Sequence, residues 1–293
     1  MNRAFRALLV RFEDDPSLAP ELINEVAAVP EWFAPFDAQG EAIAVKRGSG
    51  RFLPIAAEAE EVAGHGSPRP MAAHLVWAMV GAGQIDGVVL DLEGPSPGWV
   101  DAGGVYRING VPGLKLKGNL VARSVVEAHL IMDLMGWPPG RRGHRLVTVE
   151  NEMLAEYRWD NAPDGEPSVL RFDVPDPGLG SDGFGGPEPS TLLDPVGWRI
   201  AGDLIAQGIP TPTDGMDKAK ARGFARQLRR AADCLHEALR FARDGEIPAD
   251  AFFDSRSRLV AELNPAMVDP DRLSAVAEAW SNLAEGFARR GAR

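Results

Sequence analysis

The chain has 293 residues, 45% of them hydrophobic and 25% charged, the balance of a globular protein of one large or two ordinary domains. Its net charge of −11 argues against sequence-independent binding to nucleic acid or to an anionic membrane, since both need cationic surface. The single cysteine, Cys234, excludes an intramolecular disulfide and a cysteine zinc site, and a reducing cytoplasm is the expected setting.

The opening MNRAFRALLVRFEDD has only LLV as an apolar core, too short for a signal peptide. No apolar run approaches the ~20 residues of a membrane span. Residues Arg3–Glu13 and Pro16–Val29 are predicted as two helices: Ala4, Leu8 and Phe12 recur every four residues, and Asp15–Pro16 is an N-cap followed by proline. Strand-like runs follow at Glu31–Phe36, Glu41–Lys46 and Arg51–Ile55, separated by QG and GSG turns. Ala56–Ala63 is acidic and helix-prone, and Pro70–Gly81 is predicted as a helix. IDGVVLDL, Ile85–Leu92, has the continuous apolar run of a strand buried on both sides.

Gly104–Asn109 is predicted as a short strand and Asn119–Met135 as a helix capped by Gly136. His144–Trp159 and Ser168–Val174 suggest a hairpin; the second arm alternates cleanly, whereas NEMLAEY in the first also fits a helix. From Val174 to Pro195 the chain is mainly glycine, proline, serine and aspartate. Beyond it every long segment has helical periodicity: Pro195–Gln207, Asp214–Asp244 and Asp269–Arg289, with a shorter piece near Ala249–Leu263. The expected organisation is an α+β domain over 1–175, a linker over 176–194 and a helical domain over 195–293. The charge is uneven: Glu188–Arg293 holds 15 basic and 16 acidic side chains, and the remainder holds 16 basic and 26 acidic. The asymmetry leaves room for a basic protein partner of the acidic part.

The nine residues GLGSDGFGG, Gly178–Gly186, are the one stretch that invites a nucleotide reading. A Walker loop needs a lysine and then a helix; a dinucleotide fingerprint needs a helix opening at its third glycine. No lysine or arginine lies from Asp173 to Gly197, PEPSTLLDP does not open a helix, and Asp173, Asp176 and Asp182 repel phosphate. A flexible joint is the better reading. The five histidines, His65, His74, His129, His144 and His236, lack the pairing of a helical zinc site. His74 and His129 are expected as packing residues. No G-x-S-x-G occurs, Ser49 is in an exposed turn, and Cys234 is a buried thiol on a helix. Glu150, Glu152 and Glu156 suggest a solvated acidic face with no partner set for acid–base work. No catalytic, cofactor or metal residues are therefore assigned.

Two features suggest contacts with another protein. Trp32, Phe33 and Phe36 flank Pro35 in PEWFAPF, and Arg222, Arg226, Arg229 and Arg230 make a basic ridge on a helix whose apolar stripe is Phe224, Leu228, Leu235 and Leu239. The protein-binding candidates are Trp32, Phe33, Phe36, Asp91, Glu93, Arg222, Arg226 and Arg230. The rival reading is a hydrolase built from His65, Asp91 and Glu93 at the end of the buried strand; a third is a structural subunit of a larger assembly.

The first ~110 residues resemble the N-terminal domain of the SseB family, named for enhanced serine sensitivity. The matching order runs from ALLVRFEDDPSLAPELINEV through WFAPFD, EAIAV and RFLPIAAEAEEV to DGVVLDLEGPSP. Asp91, Leu92 and Glu93 stand where the family has an Asn-Pro-like turn, and Ala56–Ala57 where it often has Phe-Thr. The resemblance implies an α+β interaction domain found beside bacterial secretion and toxin–immunity components, without enzymatic activity. The expectation is a non-enzymatic, accessory, chaperone-like or immunity protein.

Overall fold

The computed structural model describes residues 8, 10–11, 19–94, 97–115, 122–137, 144–149, 152–159, 168–173, 183–185, 188–213 and 216–292. The fold is α+β, with sheets toward the N-terminus and helices toward the C-terminus. The chain divides into two compact units, one ending at Gly110 and one beginning at Val111. The first expected helix, Arg3–Glu13, and the Asp15–Pro16 cap lie outside the described residues, apart from residues 8, 10 and 11.

The first unit contains α1 (Ala19–Ala27), β1 (Glu31–Phe36), β2 (Val45–Arg47), β3 (Gly50–Ile55), β4 (Ser67–Ala72), α2 (Ala73–Gly81), β5 (Gly87–Leu90), β6 (Gly98–Asp101) and α3 (Ala102–Asn109). Its main sheet has the order β2-β3-β5-β6, with β3 and β5 parallel and the outer pairs antiparallel. All four residues of β5 are buried, as its unbroken apolar run predicts. β1 pairs with β4 in a separate two-stranded ribbon, and Phe33 and Ala56 exchange backbone hydrogen bonds of 2.7 and 3.0 Å.

Three expectations change here. The helix predicted from Pro70 begins at Ala73, because residues 67–72 pair with β1, and Pro68 and Pro70 fit β4, whose one strand partner among the described residues is β1. The strand predicted at Gly104–Asn109 is α3: the Asp101 carboxylate accepts from the Gly104 N–H at 2.8 Å and caps the helix. The helix-prone Ala56–Ala63 yields only two short 3₁₀ turns, Ala59–Glu61 and Ala63–His65.

The second unit contains α4 (Val125–Leu134), β7 (His144–Val149), β8 (Glu152–Trp159), β9 (Ser168–Asp173), α5 (Pro195–Ala206), α6 (Lys218–Leu239), α7 (Ser255–Leu263) and α8 (Pro270–Ala292). The expected hairpin is a three-stranded meander, β7-β8-β9, and NEMLAEY belongs to a strand. Leu170 and Phe172 lie on its buried face with Tyr157, whose ring meets His129 of α4 edge-on at 5.8 Å. On the opposite face Glu156 stands directly across from Arg145 and Arg171 and binds them at 2.6 and 2.9 Å. Of the acidic face expected here, Glu156 is instead the centre of a cross-strand Arg–Glu–Arg row, and those hydrogen bonds hold its carboxyl below its ordinary range; Glu150 and the Glu152 side chain lie outside the described residues.

Helices α5, α6 and α8 make the helical core. Gly202 of α5 allows the close approach, since a β-carbon there would lie 3.1 Å from the Ala231 carbonyl and 3.2 Å from the Trp280 ring. Residues 176–182 and 186–187 of the expected linker lie outside the described residues. Its end, 188–194, is packed: Leu192 and Leu193 are buried, and Asp194 caps α5 while accepting from Phe253 N–H at 3.0 Å. The Lys115 N–H donates to the Leu192 carbonyl at 2.9 Å. The apolar pair outweighs the flanking proline and serine signals.

A half-buried arginine ties these parts together. Arg123 pairs with Glu127 of α4 at 3.0 Å and with Glu237 of α6 at 2.8 Å, and donates to the Glu188 carbonyl at 2.6 Å. Its guanidinium also lies 5.9 Å from the Trp198 ring centre. Burial pushes the Glu237 carboxyl up, opposed by Arg123. Arg123→Met should lower the stability of this unit by roughly 3–5 kcal/mol at neutral pH, as expected when one partner of a buried pair is removed. Because Glu237 titrates above the ordinary carboxylate range in the folded chain, acidification should narrow that deficit. Urea unfolding at several pH values measures both; a deficit that widens in acid contradicts this account.

Candidate functional site

In the first unit a cavity of about 600 Å³ opens between α1, α3 and the main sheet. One wall is Leu22, Ile23 and Val26, the apolar stripe of α1. The opposite wall comes from the sheet and α3, with Phe52, Trp99 and Ile108 as its largest apolar members.

Local chemistry shapes each part. Gly48, at φ 61°, makes the tight turn between β2 and β3 that places Arg47 at the cavity. The Arg47 guanidinium lies 4.8 Å from the Trp99 ring centre, and Trp99 meets Phe52 edge-on at 5.2 Å. A β-carbon at Gly87 would collide with the Val100 carbonyl and come within 2.9 Å of the Phe52 ring, so glycine is what permits this stack. The Asp101 cap starts α3 immediately after β6, and one turn later Arg107 and Ile108 also line the cavity. Both arginines are exposed and neither pairs with a carboxylate among the described residues.

The result is an apolar chamber with two cations, Arg47 stacked on Trp99 and Arg107 exposed on α3, and one carboxylate already engaged as a helix cap. Such a lining suits an apolar body carrying an acidic group. Residues 1–110 hold 15 acidic and 8 basic side chains, but salt screens that wider field beyond about 8 Å, so the two guanidiniums dominate the charge at contact range.

The sequence candidates are dispersed. Trp32 is 1% exposed and packs edge-on against Trp77 at 6.4 Å, so it belongs to the core rather than to a contact surface. Phe33 and Phe36 are half-buried, with the Arg69 guanidinium 5.2 Å from the Phe36 ring. Asp91 is buried at a left-handed turn, φ 53°, with its carboxylate against Gly94. Glu93 is exposed and lies 3.2 Å from His65 Nε2, so the structure does join two members of the hydrolase reading. His74 is exposed, not packed as expected. Arg222 and Arg226 are exposed on α6, while Arg230 is half-buried against Phe184, 5.7 Å from its ring centre. Cys234 is fully buried, and burial pushes its thiol well up, which keeps it unreactive. Among the described residues no group of three or more His, Cys, Asp or Glu is placed to hold a metal ion. No described helix is long and apolar enough to cross a membrane.

Sequence reasoning missed Arg47, Trp99 and Arg107. Arg47 and Trp99 have no local signature, being joined only by the sheet. Arg107 had one: Asp101, three residues before Gly104, marks a helix start that places position 107 one turn on. No family model matches the chain, and no curated protein or solved structure shows significant similarity to it.

Replacing Asp101 by Ala should cost about 1 kcal/mol, the usual value of a lost N-cap, while Asp101→Asn retains the acceptor and most of the stability. Thermal unfolding of the two variants separates the cap from the charge.

Proposed function

We propose that this protein works by noncovalent binding, and that the first-unit cavity receives a short apolar segment of a partner protein that carries an acidic group. The observation that carries this reading is the cavity of about 600 Å³ whose walls are apolar and whose charged, unpaired members are Arg47 and Arg107. Leu22, Ile23 and Ile108 desolvate the segment's side chains, and the two guanidiniums pair with its carboxylate. The acidic balance of the unit steers a partner that is basic overall, so long-range attraction and short-range selection act on different parts of it.

The resemblance to the SseB N-terminal domain points the same way, toward an accessory, chaperone-like or immunity role in a bacterial cytoplasm. The compact unit ends at Gly110, where that resemblance ends. A second reading has its own support: the cavity falls within the roughly 300–1,000 Å³ of small-ligand sites, so an amphipathic carboxylic acid fits it as well.

A photo-crosslinking amino acid placed at Ile108 of the full chain, irradiated in the native host, distinguishes the two. One discrete protein adduct, lost when Arg47 and Arg107 are both changed to Gln, is the expected result. Absence of a protein adduct, with a small acid retained on native mass spectrometry, would replace the first reading by the second.

A further inference from the structure

The second unit holds a separate recess of about 270 Å³ where α6 passes Gly183, Phe184 and the first turn of α4. Phe184 is 3% exposed, its ring 4.8 Å from that of Trp198. Arg230 lies over the Phe184 ring, reaches the Val126 carbonyl through Nη2 at 3.4 Å, and has a buried Nε with no hydrogen-bond partner. Arg226, one helical turn before Arg229 and Arg230, and Arg229, the residue next to Arg230, complete the rim. Neither forms an ion pair among the described residues, and both are exposed. Asp233 is the one acidic member of the lining.

Three guanidiniums less one carboxylate leave a local charge of two, matched by a phosphate monoester at neutral pH. By itself the glycine-rich stretch offers phosphate no cation, since none lies between Asp173 and Gly197. The fold removes that objection at one point, since Gly183 and Phe184 meet the arginines of a helix beginning at Lys218. The volume equals about nine water molecules, which leaves room beside the phosphate for a small organic remainder.

We propose that the recess of Arg226, Arg229 and Arg230 over Phe184 binds the phosphate group of a small phosphorylated molecule. Arg226 and Arg229 make the charge-assisted hydrogen bonds, and Arg230, held by the ring and the Val126 carbonyl, presents its remaining donors from below. Asp233 limits affinity for a fully charged phosphate.

The test uses the full chain with inorganic phosphate and glycerol 3-phosphate as probes, each against sodium chloride of equal ionic strength. Both probes should raise the melting temperature at millimolar concentration and broaden the phosphorus NMR line, glycerol 3-phosphate more strongly. Arg226→Gln with Arg229→Gln should weaken binding by about tenfold or more, because a charge-assisted hydrogen bond exceeds the ~1.4 kcal/mol that corresponds to a decade of affinity. Asp233→Asn should strengthen it, a gain that loss of folding cannot mimic. A response equal to that of chloride, or one unchanged in both variants, overturns the proposal.

Discussion

The second unit depends on one guanidinium. Arg123 sits just before α4, yet it binds carboxylates from α4 and α6, the carbonyl of Glu188 and the face of Trp198 on α5. Glu127 and Glu237 are 0% and 4% exposed, so their charges need cationic partners; Arg123 serves both, and Arg240 adds a contact to Glu237 at 3.3 Å. Arg123 also governs the chain that reaches it: a β-carbon at Gly185 would come within 2.8 Å of the Arg123 carbonyl, so only glycine passes there. Phe184 is thereby set against Trp198 and under Arg230, and the arginine recess follows from the same clamp.

Guanidinium stacked on an aromatic ring recurs in both units. Arg47 lies on Trp99, Arg69 on Phe36, Arg199 on Trp280 and Arg230 on Phe184. Arginine is weakly hydrated and planar, so the ring takes its face while its edge donors remain available. At the first-unit cavity and at the α6 recess, this arrangement holds a cation in position without neutralising it. Arg123, by contrast, spends its donors on carboxylates and is structural. The difference between an available arginine and a structural one here is whether a carboxylate reaches it.

Local signals carried much of the fold. Val88–Leu90 announces a buried strand by its apolar run, Pro195 marks the start of α5 one residue after the capping Asp194, and the apolar spacing of Phe224, Leu228 and Leu235 places α6. Where propensity failed, a partner from elsewhere had decided the outcome. Residues 67–72 are a strand because β1 supplies the hydrogen bonds, and Glu156 is buried because Arg145 and Arg171 flank it from neighbouring strands. The candidate sites were less legible than the fold. Arg226 and Arg230 were visible as a basic ridge, but their meeting with Phe184 was not, since some forty residues separate them in the chain.

The sequence by itself determined the α+β class, the order of most elements and the acidic character of the first part, because periodicity, capping residues and composition act over a few residues. Only the tertiary structure decided which arginines are free and which are spent, that Trp32 is core, and that Leu192 and Leu193 are packed rather than linking. Those outcomes turn on burial and on ion pairs between residues far apart in the chain, and neither quantity has a local signature. Residues 183–185 show the distinction: the composition around them suggests a joint, and their packing against Trp198, Arg123 and α6 makes them one wall of a cationic recess.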